Sequence, residues 1–501
     1  MAPPVVETSL GSIRGESQGP VRVFKGIPYA RPPVGALRFR APQPAEPWTG
    51  VREAISFGPL APQNPSPLER LLGSAELVHD EAACLTLNVW TPGLDDGRRP
   101  VMVWIHGGAF LTGTGSTPWY DGSRFAAHHD VVVVTINYRL GALGFLHLDG
   151  LLGEDYAGSG NAGILDQAAA LEWVRDNIAG FGGDPGNVTI FGESAGAMSV
   201  GTLLALPAAR GLFHRAILQS GAGHNALTAD QAEAITSDLL ARLGLGEGEA
   251  RRLVEVPLPS LLEAQGAISA AYFSEGLPFE PVVDGSCLPA RPIDAVRAGA
   301  AAGVDILVGT NAEEWKLFAL LDPRLSGLDE SGVVDAASRV MAGADVEQAV
   351  ARYRSNRPDK APAEVIGAMI SDQVFRIPAI RLAEAHDAAG GAARMYLFTW
   401  ATPVFGGALG SCHALELPFV FDNLDAPGAA AFCGPDAPQS LATAMNAAWA
   451  SFARGGDPSG GAVADWPLYQ PSSRSTVVFD SETSGEDDPM GDERRLWDGL
   501  L

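Results

Sequence analysis

Six short apolar runs recur along the chain, at 101–105, 131–137, 188–191, 216–219, 305–308 and 395–400. They are rich in Val and Ile and apolar on both faces. A strand of that kind must be covered on both sides, as in a parallel sheet whose crossovers carry helices. Helix-like stretches separate the runs. One of them, 163–178, carries Ile164, Leu165, Ala168, Leu171, Trp173 and Val174. The alternation predicts a doubly wound α/β fold with a mostly parallel central sheet.

The 501 residues are 46% hydrophobic and 19% charged, enough for a large core. Only four cysteines occur (Cys84, Cys287, Cys412 and Cys433), so the fold does not rest on disulfides. The net charge of −25 repels phosphate backbones and anionic lipid, which argues against nucleic-acid and membrane-surface roles. No stretch reaches the ~18 apolar residues of a membrane span. The start of the chain lacks the basic, then apolar, pattern of a signal peptide, so a cytoplasmic location is expected. There is no internal repeat. Residues 58–78 read as a long surface loop, and 226–271 and 328–393 as helical insertions around one sheet. The acidic stretch 480–493 reads as exposed, with Arg495–Trp497 docking back onto the body.

Gly192-Glu-Ser-Ala-Gly196 fits G-x-S-x-G, and so does Gly15-Glu-Ser-Gln-Gly19. Context separates them. The first follows the run 188–191 and precedes a small-residue helix start, the strand–turn–helix setting that lifts a Ser oxygen above a sheet. The second lies between two short strand-like runs and reads as a hairpin turn. Ser194 is therefore the candidate nucleophile and Ser17 is not.

A Ser hydroxyl needs a base to take its proton. In this fold class the order is Ser, acid, His. His214 and His224 come too early, and His386 sits in an Ala-rich helical stretch; His413, in a loop after the last long apolar run, leads. The acid belongs on a loop after a strand, which leaves Glu314, Glu313 and Asp284, with Glu314 ahead. Trp104-Ile-His-Gly-Gly-Ala-Phe110 follows another strand. Its small residues let backbone N–H groups converge on an oxyanion, with donors expected from Gly108, Ala109 and Ala195, and His106 as support for the loop.

Taken together these residues resemble the type-B carboxylesterase family of α/β-hydrolases, which includes bacterial para-nitrobenzyl esterases and cholinesterases. The resemblance spans nearly the whole chain. It runs from Phe24-Lys-Gly-Ile-Pro-Tyr-Ala30 through Cys84-Leu-Thr-Leu-Asn-Val-Trp-Thr-Pro92, Asn137-Tyr-Arg-Leu-Gly141 and Gln219-Ser-Gly221 to His413-Ala-Leu-Glu-Leu-Pro-Phe419. It implies the α/β-hydrolase fold over 1–501 as a single domain, with a helical insertion at about 320–395 around an active-site gorge. The family pattern T-x-x-D-E-G aligns with Thr310-Asn-Ala-Glu-Glu-Trp315, which places the acid on Glu314 and leaves Trp315 where the family has Gly. Further implications are Ser220 as a hydrogen-bond partner of the acid and Glu193 near the alcohol side of the site. Two departures stand out. The family's acidic pair before Cys84 is Ala82-Ala83 here, so its ion pair with Arg38 is not expected, and no Cys precedes Cys84 to form the disulfide of eukaryotic members.

The implied activity is hydrolysis of small to medium uncharged carboxylic esters through a Ser–Glu–His triad. It needs neither an organic cofactor nor a metal, and the partner is a small-molecule ester. The protein is expected to be a monomer or homodimer. The same machinery tuned to carbamates, amides or aromatic diesters is the alternative; a non-catalytic binding protein is the remote one. Residues 58–83 hold no Phe, Trp or Tyr, so the aromatic partner that cholinesterases offer a cation is missing. Phe110, Phe273, Phe279, Trp315 and Phe318 are candidates for an apolar gorge. Whether Cys412 pairs with Cys433 is open at this point.

Overall fold

The computed structural model describes residues 3–66, 78–272, 276–319, 322, 325, 327–460 and 463–501. Its centre is an eleven-stranded sheet. Numbered along the chain, the strands are β1 (Glu16–Gln18), β2 (Val21–Pro28), β3 (Thr86–Thr91), β4 (Arg99–Ile105), β5 (Val132–Ile136), β6 (Gly183–Glu193), β7 (Arg215–Gln219), β8 (Asp305–Asn311), β9 (Ala393–Phe398), β10 (Ser475–Phe479) and β11 (Ser484–Asp487). Their spatial order is β11-β10-β9-β8-β7-β6-β4-β5-β3-β2-β1. From β5 to β10 all neighbours are parallel, and antiparallel strands close both edges.

The two-sided apolar runs explain this arrangement. Val101, Val103 and Ile105 join one core layer, while Met102 and Trp104 join the other. Val132, Val134 and Ile136 split from Val133 in the same way. Each such side chain, fully buried, contributes about 1.5–3 kcal/mol. On one face Trp104 anchors an aromatic cluster, with ring centroids 4.8 Å from Phe191, 4.9 Å from Tyr120 and 5.0 Å from Phe421.

The helical stretch expected at 163–178 is Ala162–Asn177. The region 226–271 holds helices Ala229–Arg242 and Leu258–Ala271 with a 3₁₀ segment, Glu247–Glu255, between them. Residues 328–393 hold Val333–Val340, Val346–Ser355, Pro362–Ser371 and Ile377–Ala388, the last two joined by a π-helical turn, Asp372–Arg376. Of the loop expected at 58–78, residues 67–77 lie outside the described residues. Trp497 does dock: it is buried, and its Nε1 donates to Tyr353 Oη at 2.8 Å. Ser17 lies within β1 rather than in a turn.

Arg38 is paired after all. Glu81, one residue before Ala82, accepts from its Nε at 2.7 Å and its Nη2 at 3.1 Å, and Arg38 Nη1 donates to the carbonyl of Val256 at 2.7 Å. The acid has moved one position and the ion pair survives. Among the described residues, no helix is long and apolar enough to cross a membrane.

Candidate active site

In parallel strands every carboxyl end lies on the same edge of the sheet, where α/β folds bind ligands. The register aligns Ile105 with Gly192, Glu193 with Gln219, Gln219 with Gly309, and Asn311 with Phe398. The segments that leave β4, β6, β7, β8 and β9 therefore converge, and they carry the Gly107–Ala109 loop, Ser194, Ser220, Glu314 and His413.

Ser194 has φ +56° and ψ −127°, a backbone state that costs a non-glycine residue about 1–3 kcal/mol. Its neighbours explain the motif. A Cβ on Gly192 would lie 2.6 Å from the Gly196 carbonyl carbon, and one on Gly196 would collide with the Ile105 carbonyl oxygen. The turn is held by the Ser194 N–H, which donates to Gln219 O at 2.9 Å, and by helix Ala195–Ala205, which starts at once.

His413 lies in the loop after β9, buried, with Nδ1 2.6 Å from Glu314 Oε2. Glu314 is also buried, and its Oε1 accepts the Asn311 N–H at 2.7 Å. The competitors are elsewhere. Glu313 pairs with Lys316 at 2.7 Å and accepts the Ser411 N–H at 3.1 Å, and Asp284 accepts the Ser286 and Leu288 N–H groups of its own turn at 2.8 and 3.0 Å. His386 bonds the Val304 carbonyl at 2.9 Å, and His214 Nδ1 takes the Val188 N–H at 3.1 Å.

The other imidazole nitrogen, Nε2, lies 2.9 Å from Glu193 Oε1, in contact but out of line for a hydrogen bond. Among the described residues Ser194 Oγ makes no hydrogen bond. Burial alone favours the neutral His413 ring, yet the carboxylates Glu193 and Glu314 outweigh it and hold the ring well above the ordinary imidazole range. Glu193 in turn is raised by burial, and the imidazole opposes that rise.

Before the nucleophile, Gly108, Ala109 and Phe110 all have positive φ (+112°, +55° and +59°). The Gly108 carbonyl accepts the Leu111 and Thr112 N–H groups, both at 3.0 Å, and the Gly108 and Ala109 N–H groups have no acceptor among the described residues. A Cβ on Gly107 would lie 2.7 Å from Glu193 O and 3.0 Å from Ser194 Cβ, so this loop rests against the nucleophile turn. His106 supports it as expected. Its ring stacks on Tyr138 at 4.5 Å, Nδ1 donates to Gly107 O at 2.8 Å, and burial lowers its pKa to about 4, so it is neutral.

The expected bond from Ser220 to the acid is not formed. Ser220 has φ +52°, and its buried Oγ has no partner; the Asn311 N–H occupies Glu314 Oε1 instead. Of the gorge candidates, Phe110 and Phe279 are core residues and Phe273 lies outside the described residues. Phe318 does reach the site, and the Trp315 ring packs on Phe318 at 4.9 Å. Phe318 and Phe375, stacked on each other at 6.3 Å, both pack against the imidazole, at 5.0 and 4.8 Å. Phe375 comes from the π-helical turn, a feature frequent at functional sites.

Two further residues escaped the sequence reading. Gln63 clamps Gly113, accepting its N–H at 2.9 Å and donating Nε2 to its carbonyl at 3.0 Å. Glu416 accepts from Gln219 Nε2 at 3.1 Å and Asn311 Nδ2 at 2.7 Å, so one carboxyl joins the residues whose backbones hold Ser194 and Glu314. Burial and the negative charges of Glu193 and Glu314 push Glu416 up to about 8. Its place in His413-Ala-Leu-Glu416 was the available signal. All four cysteines are free thiols, Cys412 and Cys433 included. Among the described residues, no group of three or more His, Cys, Asp or Glu is placed to hold a metal.

The pattern of the carboxylesterase family matches residues 2–496. The chain belongs to the carboxylesterase family. It is 42% identical to the para-nitrobenzyl esterase of Bacillus subtilis (strain 168), over 98% of both chains. It is 36% identical to the phenmedipham hydrolase of Pseudarthrobacter oxydans, covering 96% of this chain and 95% of that one. Among solved structures, the Geobacillus stearothermophilus carboxylesterase EST55 at pH 6.2 superposes with a TM-score of 0.90 at 46% identity, over 98% of this chain and 99% of that one. This esterase therefore has the α/β-hydrolase fold of its family and hydrolyses carboxylic esters.

Proposed function

We propose that Ser194, His413 and Glu314 are the catalytic triad and that Gly108, Ala109 and Ala195 donate the oxyanion N–H groups. The observation that carries this reading is the 2.6 Å bond from His413 Nδ1 to Glu314 beside the strained Ser194 turn. The neutral imidazole takes the Ser194 proton on Nε2, and Oγ bonds to the ester carbonyl carbon. The carbonyl oxygen becomes an oxyanion held by the three N–H groups, each contributing about 2.7–4 kcal/mol. The tetrahedral intermediate then collapses, the imidazolium gives its proton to the leaving alkoxide, and an acyl-enzyme remains. Water repeats the two steps, releases the acid and restores Ser194. Glu314 fixes the tautomer and orients the ring throughout.

In this reading His413 Nε2 leaves Glu193 for Ser194 Oγ as substrate enters; catalytic hydrogen bonds often tighten only in the complex. Glu193 borders the leaving-alcohol side, and Ser220 packs behind the turn. The whole chain works as one catalytic domain, with 320–395 as the helical insertion that brings Phe375 to the imidazole. Substrates are small to medium uncharged esters. The alternative is the same machinery tuned to carbamates, amides or aromatic diesters, and the rings of Phe318 and Phe375 beside the imidazole favour the aromatic diesters among these. The free cysteines fit a reducing, cytoplasmic setting. The protein works as a monomer or homodimer.

The test is hydrolysis of para-nitrophenyl acetate, butyrate, octanoate and palmitate by wild type, Ser194→Ala and Ser17→Ala. Loss with Ser194→Ala alone supports the assignment. Undiminished turnover by Ser194→Ala overturns it.

A further inference from the structure

The π-helical turn Asp372–Arg376 carries Phe375, whose ring lies 4.8 Å from the His413 imidazole. One ion pair closes that turn. Asp372 Oδ1 accepts from Arg376 Nε and Asp372 Oδ2 from Arg376 Nη2, both at 2.6 Å, and both side chains are buried. A π-turn holds one residue more than the α-helix around it, so a slip of one position would rotate Phe375 off the imidazole by about 100°. The pair has partners beyond the turn. Tyr353 Oη, from the helix Val346–Ser355, donates to Asp372 Oδ2, and Trp497 Nε1 donates to Tyr353 Oη at 2.8 Å. Arg376 Nη1 donates to the carbonyl of Pro489 at 3.2 Å. The C-terminal segment therefore reaches the turn at two points. A buried ion pair is costly to desolvate, and apolar side chains of similar volume often serve stability as well. What a bidentate pair adds is geometry, because its two parallel bonds admit one register of the turn.

We infer that Asp372 is a positioning residue for the catalytic base: with Arg376 it locks the π-turn that seats Phe375 on His413, and Tyr353 and the C-terminal segment hold the pair in place. This deepens the proposed function and rests on the triad assigned there. The effect on chemistry follows from what faces the imidazole. Glu193, at the end of β6, and Glu314, in the loop after β8, favour the charged ring, and Glu416 on the segment of His413 itself interacts with it too. Cys412 beside it is a neutral thiol, its pKa pushed up by burial. The short helix Lys316–Ala319 presents Phe318, while its Lys316 is paired with Glu313 at 2.7 Å. The π-turn presents Phe375, and its two charges offset each other. Burial favours the neutral ring, the form that takes the Ser194 proton. Phe375 therefore works against the two carboxylates, and loosening it leaves more of the base charged.

The experiment reads the acid limb of kcat/KM for para-nitrophenyl acetate. It compares wild type with Phe375→Ala, Tyr353→Phe, Asp372→Asn and the double variant Tyr353→Phe/Phe375→Ala. Thermal unfolding reports whether each is folded across the pH range, and Phe375→Leu and Trp497→Phe replace any that is not. Loosening Phe375 admits water to the ring and raises its pKa, so the limb moves to higher pH. The expected shift for Phe375→Ala is about 0.5–1 unit, a loss of about three- to tenfold on the limb that vanishes above it. Tyr353→Phe and Asp372→Asn move the limb the same way by less. The double variant shifts no further than Phe375→Ala, because Tyr353 acts through Phe375. Limbs that stay in place in the folded variants, shifts that add in the double variant, or a rate lowered equally at every pH overturn the positioning role while the triad stands. If Ser194→Ala hydrolyses the ester as fast as wild type, the triad falls and the positioning role with it.

Discussion

His413 Nε2 lies 2.9 Å from Oε1 of Glu193, the residue immediately before the nucleophile. With Glu314 at 2.6 Å on Nδ1, the imidazole has a carboxylate at each nitrogen. Only the neutral ring can take a proton from Ser194, so the raised pKa of His413 moves the acid limb of activity upward. Glu193→Gln removes one of the two charges. The acid limb of kcat/KM for para-nitrophenyl acetate then moves to lower pH, by about 1 unit or more. The charge pair also contributes to stability. His413 is raised above its unfolded value, so that contribution is complete below pH 6.5 and is lost as pH rises through the folded pKa. Glu193→Gln therefore costs more stability in acid than in alkali. A pH–rate profile that does not move removes Glu193 from the account.

Ser194 stores backbone strain, because its φ of +56° suits glycine. Ser194→Gly relieves that strain and deletes the nucleophile together. The melting temperature rises, by the equivalent of about 1 kcal/mol after the extra chain entropy of glycine is counted. Turnover falls by about a thousandfold or more. Calorimetry and para-nitrophenyl butyrate hydrolysis on the same sample check both halves.

Glu416 carries a buried carboxyl raised to about 8 by burial first and by Glu193 and Glu314 next. Its folded pKa exceeds the ordinary glutamate value of 4.5, so folding binds a proton between the two. Stability is complete below pH 4.5 for this group and falls as pH rises towards 8, at up to about 1.4 kcal/mol per pH unit. Glu416→Gln flattens that slope. Chemical denaturation from pH 5 to 9 measures it, and equal slopes in the two proteins would contradict the assignment.

Arg38 is buried, and Glu81 is its one carboxylate partner among the described residues. Glu81→Ala strands the guanidinium and lowers stability by about 3–5 kcal/mol. Ala82→Ser, beside it on the surface, changes stability by less than about 0.5 kcal/mol. Urea unfolding of the two variants makes the comparison.

Much of this was legible in local pattern. The parallel strands follow from runs apolar on both faces, and Ser194 from the glycines that let strand, turn and helix touch. The choice between Glu313 and Glu314 was not legible from residues alone, since both follow the same strand. Space separates them: Glu314 meets the Asn311 N–H and His413, while Glu313 meets Lys316 and Ser411. The Arg38 partner was missed because the acid moved by one residue, a shift that a fixed motif does not tolerate and a long Arg side chain does. Gln63 and Phe375 act through contacts 50 and 38 residues away in sequence, at Gly113 and His413. Such pairs have no local signature. Ser220 failed the other way: its motif was intact, but its backbone conformation places the hydroxyl without a partner.

The central claim is that Ser194 is the group acylated during turnover. Incubation with diethyl para-nitrophenyl phosphate, followed by intact mass and peptide mapping, tests it most directly. The account predicts one diethylphosphoryl group per chain, on Ser194, with one para-nitrophenolate released and activity lost in step. Labelling of another residue, or full activity after stoichiometric labelling of Ser194, would contradict it.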